Sequence, residues 1–294
     1  MSPRRKGPAP ELQGLSKAQA SLVLALARVT GLAFDASPPP EIPPEVRILL
    51  TRSNDAQTGA QRAAHRREQQ DILQQWAMER IVHGTLALLA EAPSPSCGEG
   101  DSPEPGWLIR FLQGSQGILD PQLQTLWSRL LAQETRHPGR HPMPVLDLLQ
   151  TLRGEDAARL AAALRLTGFV APGFQGFPHA PEVARVAESV GLTAGDLPLL
   201  QSLGWVQNGP LFVRKPNAPF FWRQANIALR MTPGVRVRNP AATRWTPQGA
   251  WLIPLFPPAP PPEEYRLIVS RFFTQCGFLV EEAPPGGEAP TETA

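Results

Sequence analysis

The chain has 294 residues, an apolar fraction of 42% and a formal net charge of +2. This length allows one large domain or two small ones, and the near-neutral charge argues against a polyanion-binding surface spread over the whole molecule. The two cysteines, Cys97 and Cys276, lie far apart and form no CxxC pair. That spacing argues against a disulfide scaffold or a zinc motif and favours a reducing cytoplasm.

The first 57 residues combine a leader, an apolar helix and a linker. Residues 1–12 are predicted to be a disordered leader, and residues 35–44 a stiff proline linker. Residues 16–31 predict a helix whose faces are almost all Ala, Leu and Val. Such a helix is buried in a bundle or docks on a membrane surface or a partner, and the lack of a basic face favours burial. Its apolar run is too short for a transmembrane span.

A long helix is predicted over residues 58–90. Leu73, Ala77, Ile81, Gly84 and Leu88 fall on one helical stripe, with Trp76 beside it. The charges of residues 61–70 are typical of a solvated helix face. Residues 91–105 have the composition of a loop, in which Cys97 is expected to be exposed.

Residues 107–152 carry the clearest hydrophobic pattern of the chain. Asp120 is a good N-cap, and Pro121 occupies the first helical position, where a missing N–H costs nothing. A second and a third stripe flank this helix, and three amphipathic helices so close together must bury their stripes on one another. The pattern predicts a helical bundle with Trp127 at its centre. The three stripes are formed by Trp107, Leu108, Phe111 and Leu112, by Leu123, Leu126, Trp127, Leu130 and Leu131, and by Val145, Leu148, Leu149 and Leu152.

The second half of the chain changes in character. After an Ala-rich helix over residues 155–166, two short helices are predicted over residues 181–191 and 193–203, with Thr193 capping the second. Asn208 and Gly209 between apolar runs predict a hairpin turn. Two helices followed by a hairpin are typical of a winged helix. Strands over 225–231 and 235–238, a short helix capped by Thr246, and an amphipathic helix over 263–276 complete the prediction.

No catalytic or cofactor-binding pattern stands out. The run from Gly114 to Gly117 is one residue too short for a GxSxG elbow, and Pro138 and Gly139 prevent the helix that would align His137 and His141 as metal ligands. Glu134 follows the central stripe, and we expect it to form a salt bridge with Arg110 or Arg140 or to cap the following loop. We therefore expect no enzyme activity, metal or cofactor.

One electrostatic feature concerns a possible polyanion site. No acidic residue occurs between Asp196 and Glu263, whereas arginines and aromatic residues alternate there. A locally positive segment with interleaved aromatic residues is typical of a polyanion-binding surface, and the alternative is an Arg-rich solvated surface. The candidate contacts are Arg214, Lys215, Arg223, Arg236 and Arg238, and the neighbouring residues of this kind are Arg230, Arg244, Trp205, Phe220, Phe221, Trp222 and Trp245.

The segment LWSRLLAQETRHPG, preceded by WLIRF and ILD, resembles a bacterial family of uncharacterised proteins. Trp107 begins the first helix of the motif, and HPMP at residues 141–144 replaces a polar step of the family. GLSK at residues 14–17 and TPQGAWL at residues 246–252 also resemble family features. The resemblance implies a fold but no activity, and a weaker likeness points to abortive-infection proteins of phage defence. The matching signature residues are Gln124, Leu126, Trp127, Leu130, Leu131, Ala132, Glu134, Pro138 and Gly139.

These patterns predict a mainly α protein with five segments. The disordered leader is followed by a helical bundle domain over residues 13–168 and a winged-helix-like domain over residues 169–255. A closing helix and strand occupy residues 256–282, and residues 283–294 form a disordered tail. We expect a cytoplasmic, non-enzymatic interaction or regulatory protein of unknown partner, with phage defence as one setting; the alternative is weak, sequence-tolerant nucleic-acid binding through the winged part.

Overall fold

The computed structural model describes residues 58–91, 103–170, 174–210, 220–222, 227–232, 234–235, 241–257 and 259–282. Over these residues the protein is mainly α with an α+β part, as predicted. The chain divides into two compact units, Met1–Gly154 and Glu155–Ala294. None of the described helices combines the length and the apolar character that crossing a membrane requires. The predictions for residues 1–57, for Cys97 and for residues 283–294 concern parts of the chain outside the described residues.

The described part of the first unit is helical. Its longest helix, α1, has 33 residues and confirms the helix predicted over residues 58–90. Helix α1 packs mainly against α3, and α2 packs against both α4 and α1. The helices are α1 (Gly59–Glu91), α2 (Pro105–Ser115), α3 (Pro121–Arg136) and α4 (Pro144–Thr151).

Helix α3 is the centre of this core, and its start follows the sequence prediction. The Asp120 carboxylate accepts hydrogen bonds from the backbone N–H groups of Gln122 at 2.9 Å and Leu123 at 3.1 Å. Trp127 is fully buried, and its ring centroid lies 5.2 Å from that of Phe111. The central position predicted for Trp127 is therefore confirmed.

Two of the predicted stripes are rotated on their helices. In α4, Leu146 is fully buried whereas Leu148 is half-buried. In α1, Gly84 and Leu88 are half-buried, and Thr85 takes a core position instead. Gly84 nonetheless faces α3, because a Cβ at this position would lie 2.5 Å from the Ser128 hydroxyl oxygen.

The second unit begins with α5, although the predicted bundle domain includes that helix. Along the chain, this unit consists of a helix, a pair of strands, a pair of helices, further strands with a short helix, and a closing helix and strand. The closing helix α9 buries Tyr265, whose hydroxyl donates to the Leu166 carbonyl at 2.5 Å. The elements are α5 (Gly154–Leu166), β1 (Gly168–Val170), β2 (Phe174–Pro178), α6 (Pro181–Ser189), α7 (Asp196–Ser202), β3 (Val206–Pro210), β4 (Phe220–Trp222), β5 (Ile227–Met231), β6 (Ala241–Trp245), α8 (Pro247–Ala250), a 3₁₀ helix (Ile253–Leu255), α9 (Glu263–Gln275) and β7 (Phe278–Glu282).

The described strands form two antiparallel sheets with non-sequential order. One sheet has the order β1-β2-β6-β3 and the other β4-β5-β7. The hairpin turn predicted at Asn208 and Gly209 is wrong, because both residues lie within β3, opposite Thr243 and Ala242 of β6. A strand partner far along the chain supplies the hydrogen bonds that a local turn would have made, so tertiary pairing overrides the local turn signal.

Candidate interaction surface

The second unit places a pair of short helices beside a pair of antiparallel strands. Helices α6 and α7 precede β3, and β3 pairs along its whole length with β6, from Val206 opposite Trp245 to Pro210 opposite Ala241. On its other side β6 pairs with β2. Residues 211–240, which include β4 and β5 of the other sheet, therefore connect β3 to β6 and leave and re-enter the same end of that strand pair. All five candidate nucleic-acid contacts fall within this connection.

The exposed face of the helix pair has little positive charge. Helix α6 carries Arg185 between Glu182 and Glu188, and all three side chains are exposed. Helix α7 contains no basic residue. At its end Ser202 is exposed, and the following Leu203 is 39% exposed. This face offers acidic, neutral and apolar groups and a single cation.

The start of α7 is held by a network of charged and hydroxyl groups. Thr193 donates both its backbone N–H and its hydroxyl to the Asp196 carboxylate, each at 2.6 Å. Thr193 is thus a donor to the helix start rather than the capping acceptor that the sequence predicts. Arg159 donates to the same carboxylate at 2.7 Å. Burial by itself raises the pKa of Asp196, but the hydrogen bonds from Thr193 and Arg159 outweigh it, so the pKa is lowered and the carboxylate stays charged.

The five nucleic-acid candidates Arg214, Lys215, Arg223, Arg236 and Arg238 all lie outside the described residues. Two further cations of the same span, Arg230 and Arg244, lie within the described residues. The Arg230 guanidinium on β5 lies 3.2 Å from the Glu281 carboxylate on β7. The segment is free of acidic residues along the sequence but not in space, because β7 brings acidic residues alongside β5.

The aromatic residues of this span do not all face solvent. Trp205 and Trp245 are 1% and 6% exposed. The Trp245 indole N–H donates to the Thr167 hydroxyl at 2.9 Å in the interior of the unit. These two rings therefore cannot stack on the bases of a nucleic acid, since a base can stack only on an exposed ring face.

In the first unit, Glu134 forms a cap for the loop that follows α3. Its side chain is 1% exposed, and it accepts hydrogen bonds from the backbone N–H groups of Gly139 at 2.6 Å and His141 at 3.0 Å. Arg110, one of the two partners expected for it, pairs with Asp147 instead, at 2.6 Å. The structure thus selects the capping role over an ion pair with Arg110.

His141 is a loop residue, as predicted, but it is buried. Its carbonyl accepts the Trp107 indole N–H at 3.0 Å, and its ring contacts the Gln133 side-chain oxygen at 3.0 Å. Burial, together with the charge of Arg140, lowers the pKa of His141 to about 4, so the ring is neutral at pH 7. Within the part of the chain that the structure describes, no group of three or more His, Cys, Asp or Glu residues is placed to hold a metal ion.

The signature residues thus build the core and the loop cap of the first unit. Trp107, Leu126, Trp127, Leu130 and Leu131 are buried. Pro138 and Gly139 form the loop that the Glu134 carboxylate caps, and Gly139 adopts a positive φ of 80° that glycine tolerates best. The signature residues therefore have structural roles. Glu134 is the one carboxylate among them, and it accepts hydrogen bonds from backbone N–H groups.

A family comparison covers this same stretch. Residues 61–172 match a family described as "Protein of unknown function (DUF2806)". The DUF2806 match confirms the resemblance to a family of unknown function and contains every signature residue. It begins in α1 and ends just after β1, and so leaves out the GLSK and TPQGAWL segments. No curated protein and no solved structure matches the chain.

Proposed function

We propose that this protein is a non-enzymatic interaction protein whose second unit is a winged-helix-type module that docks a protein partner. The observation that carries the proposal is that α5, the strand pair β1-β2, the helices α6 and α7 and the strands β3 and β6 follow one another, with β6 between β2 and β3 in the sheet. The strands β4 and β5 of the other sheet lie in the connection between β3 and β6. A winged helix has this order, in which the second helix of the pair faces the partner and the connection between the last two strands forms the wing. Helix α7 is the second helix here.

The chemistry of the helix pair favours a protein over a nucleic acid as the partner of α7. A helix that enters a DNA groove needs cations for the phosphates that flank it. Helix α7 has none, and the preceding helix α6 carries only Arg185, between Glu182 and Glu188. The exposed Leu203 at the end of α7 is suited to an apolar pocket on another protein.

The non-enzymatic part of the proposal rests on how the buried acids are used. The Glu134 carboxylate accepts hydrogen bonds from two backbone N–H groups, and the Asp196 carboxylate accepts hydrogen bonds from Thr193 and Arg159. A general acid or base must be able to exchange a proton with a substrate. Carboxylates whose oxygens already accept hydrogen bonds from protein groups stabilise the fold.

Site-specific photo-cross-linking tests the docking face. A photoreactive amino acid at Ser202, on α7, is expected to capture one protein in cells of the native host, whereas the same group at Arg271, an exposed residue of α9, is not. Leu203→Asp should reduce the yield at Ser202 at least about fivefold, because a charge cannot enter an apolar pocket without losing its hydration. Equal capture at both positions, or an adduct that nuclease but not protease removes, contradicts the proposal.

A second candidate function is weak, sequence-tolerant nucleic-acid binding through the wing position. The observation in its favour is that the β3–β6 pairing makes residues 211–240 a single connection with no acidic residue. Its cations are Arg214, Lys215, Arg223, Arg230, Arg236 and Arg238. With no cation on α7, such binding would involve phosphates and not base edges.

Salt dependence tests this second function. Fluorescence anisotropy with a labelled duplex at low salt is expected to show binding that falls steeply as salt rises, because each neutralised phosphate releases counterions. Replacing Arg214, Lys215, Arg236 and Arg238 with alanine should flatten that dependence and leave the thermal midpoint unchanged. If neither DNA nor RNA binds, this second function is ruled out and only the protein-docking proposal is left.

Phage defence stays a prediction that rests on the sequence likeness. If it is correct, expression of the chain in a related host reduces plaque formation by some phages or slows growth on infection. An unchanged plaque count across a broad phage panel would remove its support.

A further inference from the structure

Helix α7 is anchored to the rest of the second unit at few points. Only two of its seven residues, Asp196 and Leu200, are buried. No side chain caps its first N–H groups, and an isolated helix of this length is not stable by itself. Leu200 supplies an apolar contact with the core, and Asp196 supplies a polar contact at the start of the helix. Because a helix held at one point can pivot about it, the contact at Asp196 is needed to fix the direction of α7.

The partner of Asp196 outside the helix pair is Arg159 on α5. The Arg159 Nε atom donates to the Asp196 carboxylate at 2.7 Å. The two other nitrogens of the same guanidinium donate to Asp156 at 3.0 Å and Glu155 at 3.2 Å, both on α5. These bonds hold the guanidinium against its own helix, and α5 is fixed in turn by the fully buried Leu160. Arg159 therefore presents a donor to α7 from a rigid base.

The guanidinium also separates two carboxylates that have little contact with water. The Asp196 side chain is 12% exposed, and the Asp156 side chain is 9% exposed. Within the described part of the chain, Asp196 has no other cationic partner. Once the cation is removed the two carboxylates repel each other, and a largely buried carboxylate without a counter-charge is costly. Without Arg159 we expect Asp196 to turn towards water and to carry the start of α7 with it.

We propose that Arg159 is a positioning residue for docking, which acts through Asp196 to fix the direction of α7 and so places Ser202 and Leu203 against the partner. This role rests on the proposed docking function of α7. Ser202 lies about 9 Å from Asp196 along the helix axis at 1.5 Å per residue, so a tilt at the start displaces the docking end. A helix that samples several directions binds more weakly, because only the competent fraction can bind.

The distance between spin labels on α5 and α7 tests the positioning without any partner. The labels are placed in the full chain at Ala161 and Ser202, both exposed, after the two cysteines are replaced with serine. Double electron–electron resonance is expected to give a single narrow distance distribution. Arg159→Gln should broaden it at least about twofold, because α7 then samples several directions. The matched control is Arg165→Gln, which removes the same charge from α5 but breaks a hydrogen bond to the Pro260 carbonyl.

Three further variants identify the contact responsible. Asp196→Asn should broaden the distribution as Arg159→Gln does, and it also serves if Arg159→Gln does not fold. The double variant should be no broader than either single one, because both changes break the same contact. Arg159→Lys should restore part of the narrowing, since an ammonium group can still donate to Asp196 but lacks the fork that also reaches α5. Circular dichroism shows that each variant is folded, so that a loss of global structure is not mistaken for a change of direction.

Cross-linking through Ser202 supplies the functional measurement. Arg159→Gln is expected to lower the capture yield at least about threefold, in proportion to the fraction of competent α7, whereas Arg165→Gln leaves it unchanged. An unchanged distance distribution or an unchanged yield in Arg159→Gln would overturn the role of Arg159 alone. Failure of the wild-type chain to capture any protein would contradict the docking proposal, and with it the role of Arg159 in docking, even where the distances change as expected.

Discussion

Replacing Trp127 with alanine is expected to lower the free energy of unfolding by about 3–5 kcal/mol. The side chain is fully buried, and it packs against Phe111 with their ring centroids 5.2 Å apart. Its removal leaves a cavity that the surrounding helices can fill only in part. Chemical denaturation followed by circular dichroism measures the loss.

Two control variants separate packing from other effects. Ile109→Ala, at a side chain in α2 that is 58% exposed, should change the stability by less than about 0.5 kcal/mol. Trp127→Phe should cost less than Trp127→Ala, because the ring is largely kept and the indole N–H has no acceptor among the described residues. An unchanged unfolding midpoint in Trp127→Ala would show that the assignment of the central helix is wrong.

Replacing Glu134 with alanine is expected to lower the free energy of unfolding by about 3–6 kcal/mol, because two hydrogen bonds to a charged acceptor are lost and each contributes about 1.5–3 kcal/mol. The N–H groups of Gly139 and His141 are left without their acceptor. Glu134→Gln should cost less, since the amide keeps one acceptor oxygen but turns an NH₂ group towards the second donor. Urea denaturation of the two variants gives both values.

Glu104→Gln is the matched control for Glu134→Gln. Glu104 is an exposed carboxylate at the start of α2, and its side chain makes no capping hydrogen bond to that helix. Its replacement should leave the stability within about 0.5 kcal/mol of the wild type. Folded Glu134→Gln protein should still be captured through Ser202. Loss of that capture without loss of stability would instead place Glu134 in the binding site.

The helix starts at Asp120 and Thr246 and the core of the first unit were predictable because their causes are local. Asp120 bonds to N–H groups two and three residues ahead, and Thr246 accepts from Gly249 at 3.0 Å in the same way. The stripe around Trp127 follows from helical periodicity alone. Leu146 replaces Leu148 in the core because the rotation of a short helix is set by its neighbours.

The role of Glu134 was only half predictable. Its position one turn beyond a buried stripe indicates a structural carboxylate, and the sequence leaves open an ion pair or a loop cap. The choice depends on where Arg110 lies, and α4 holds that guanidinium at Asp147. The burial of His141 had no signal in the sequence, because it results from the same capped loop folding against Trp107.

By itself the sequence determined the mainly α character, the long helix α1, the capped central helix with its buried tryptophan, and the amphipathic closing helix. Each of these depends on contacts within a few turns of one helix. Only the tertiary structure decided that Asn208 and Gly209 lie inside a strand, that Glu281 lies beside Arg230, and that Gly84 brings α1 against Ser128. Those contacts join residues far apart in the chain, and no local pattern encodes which distant strand or helix becomes the neighbour.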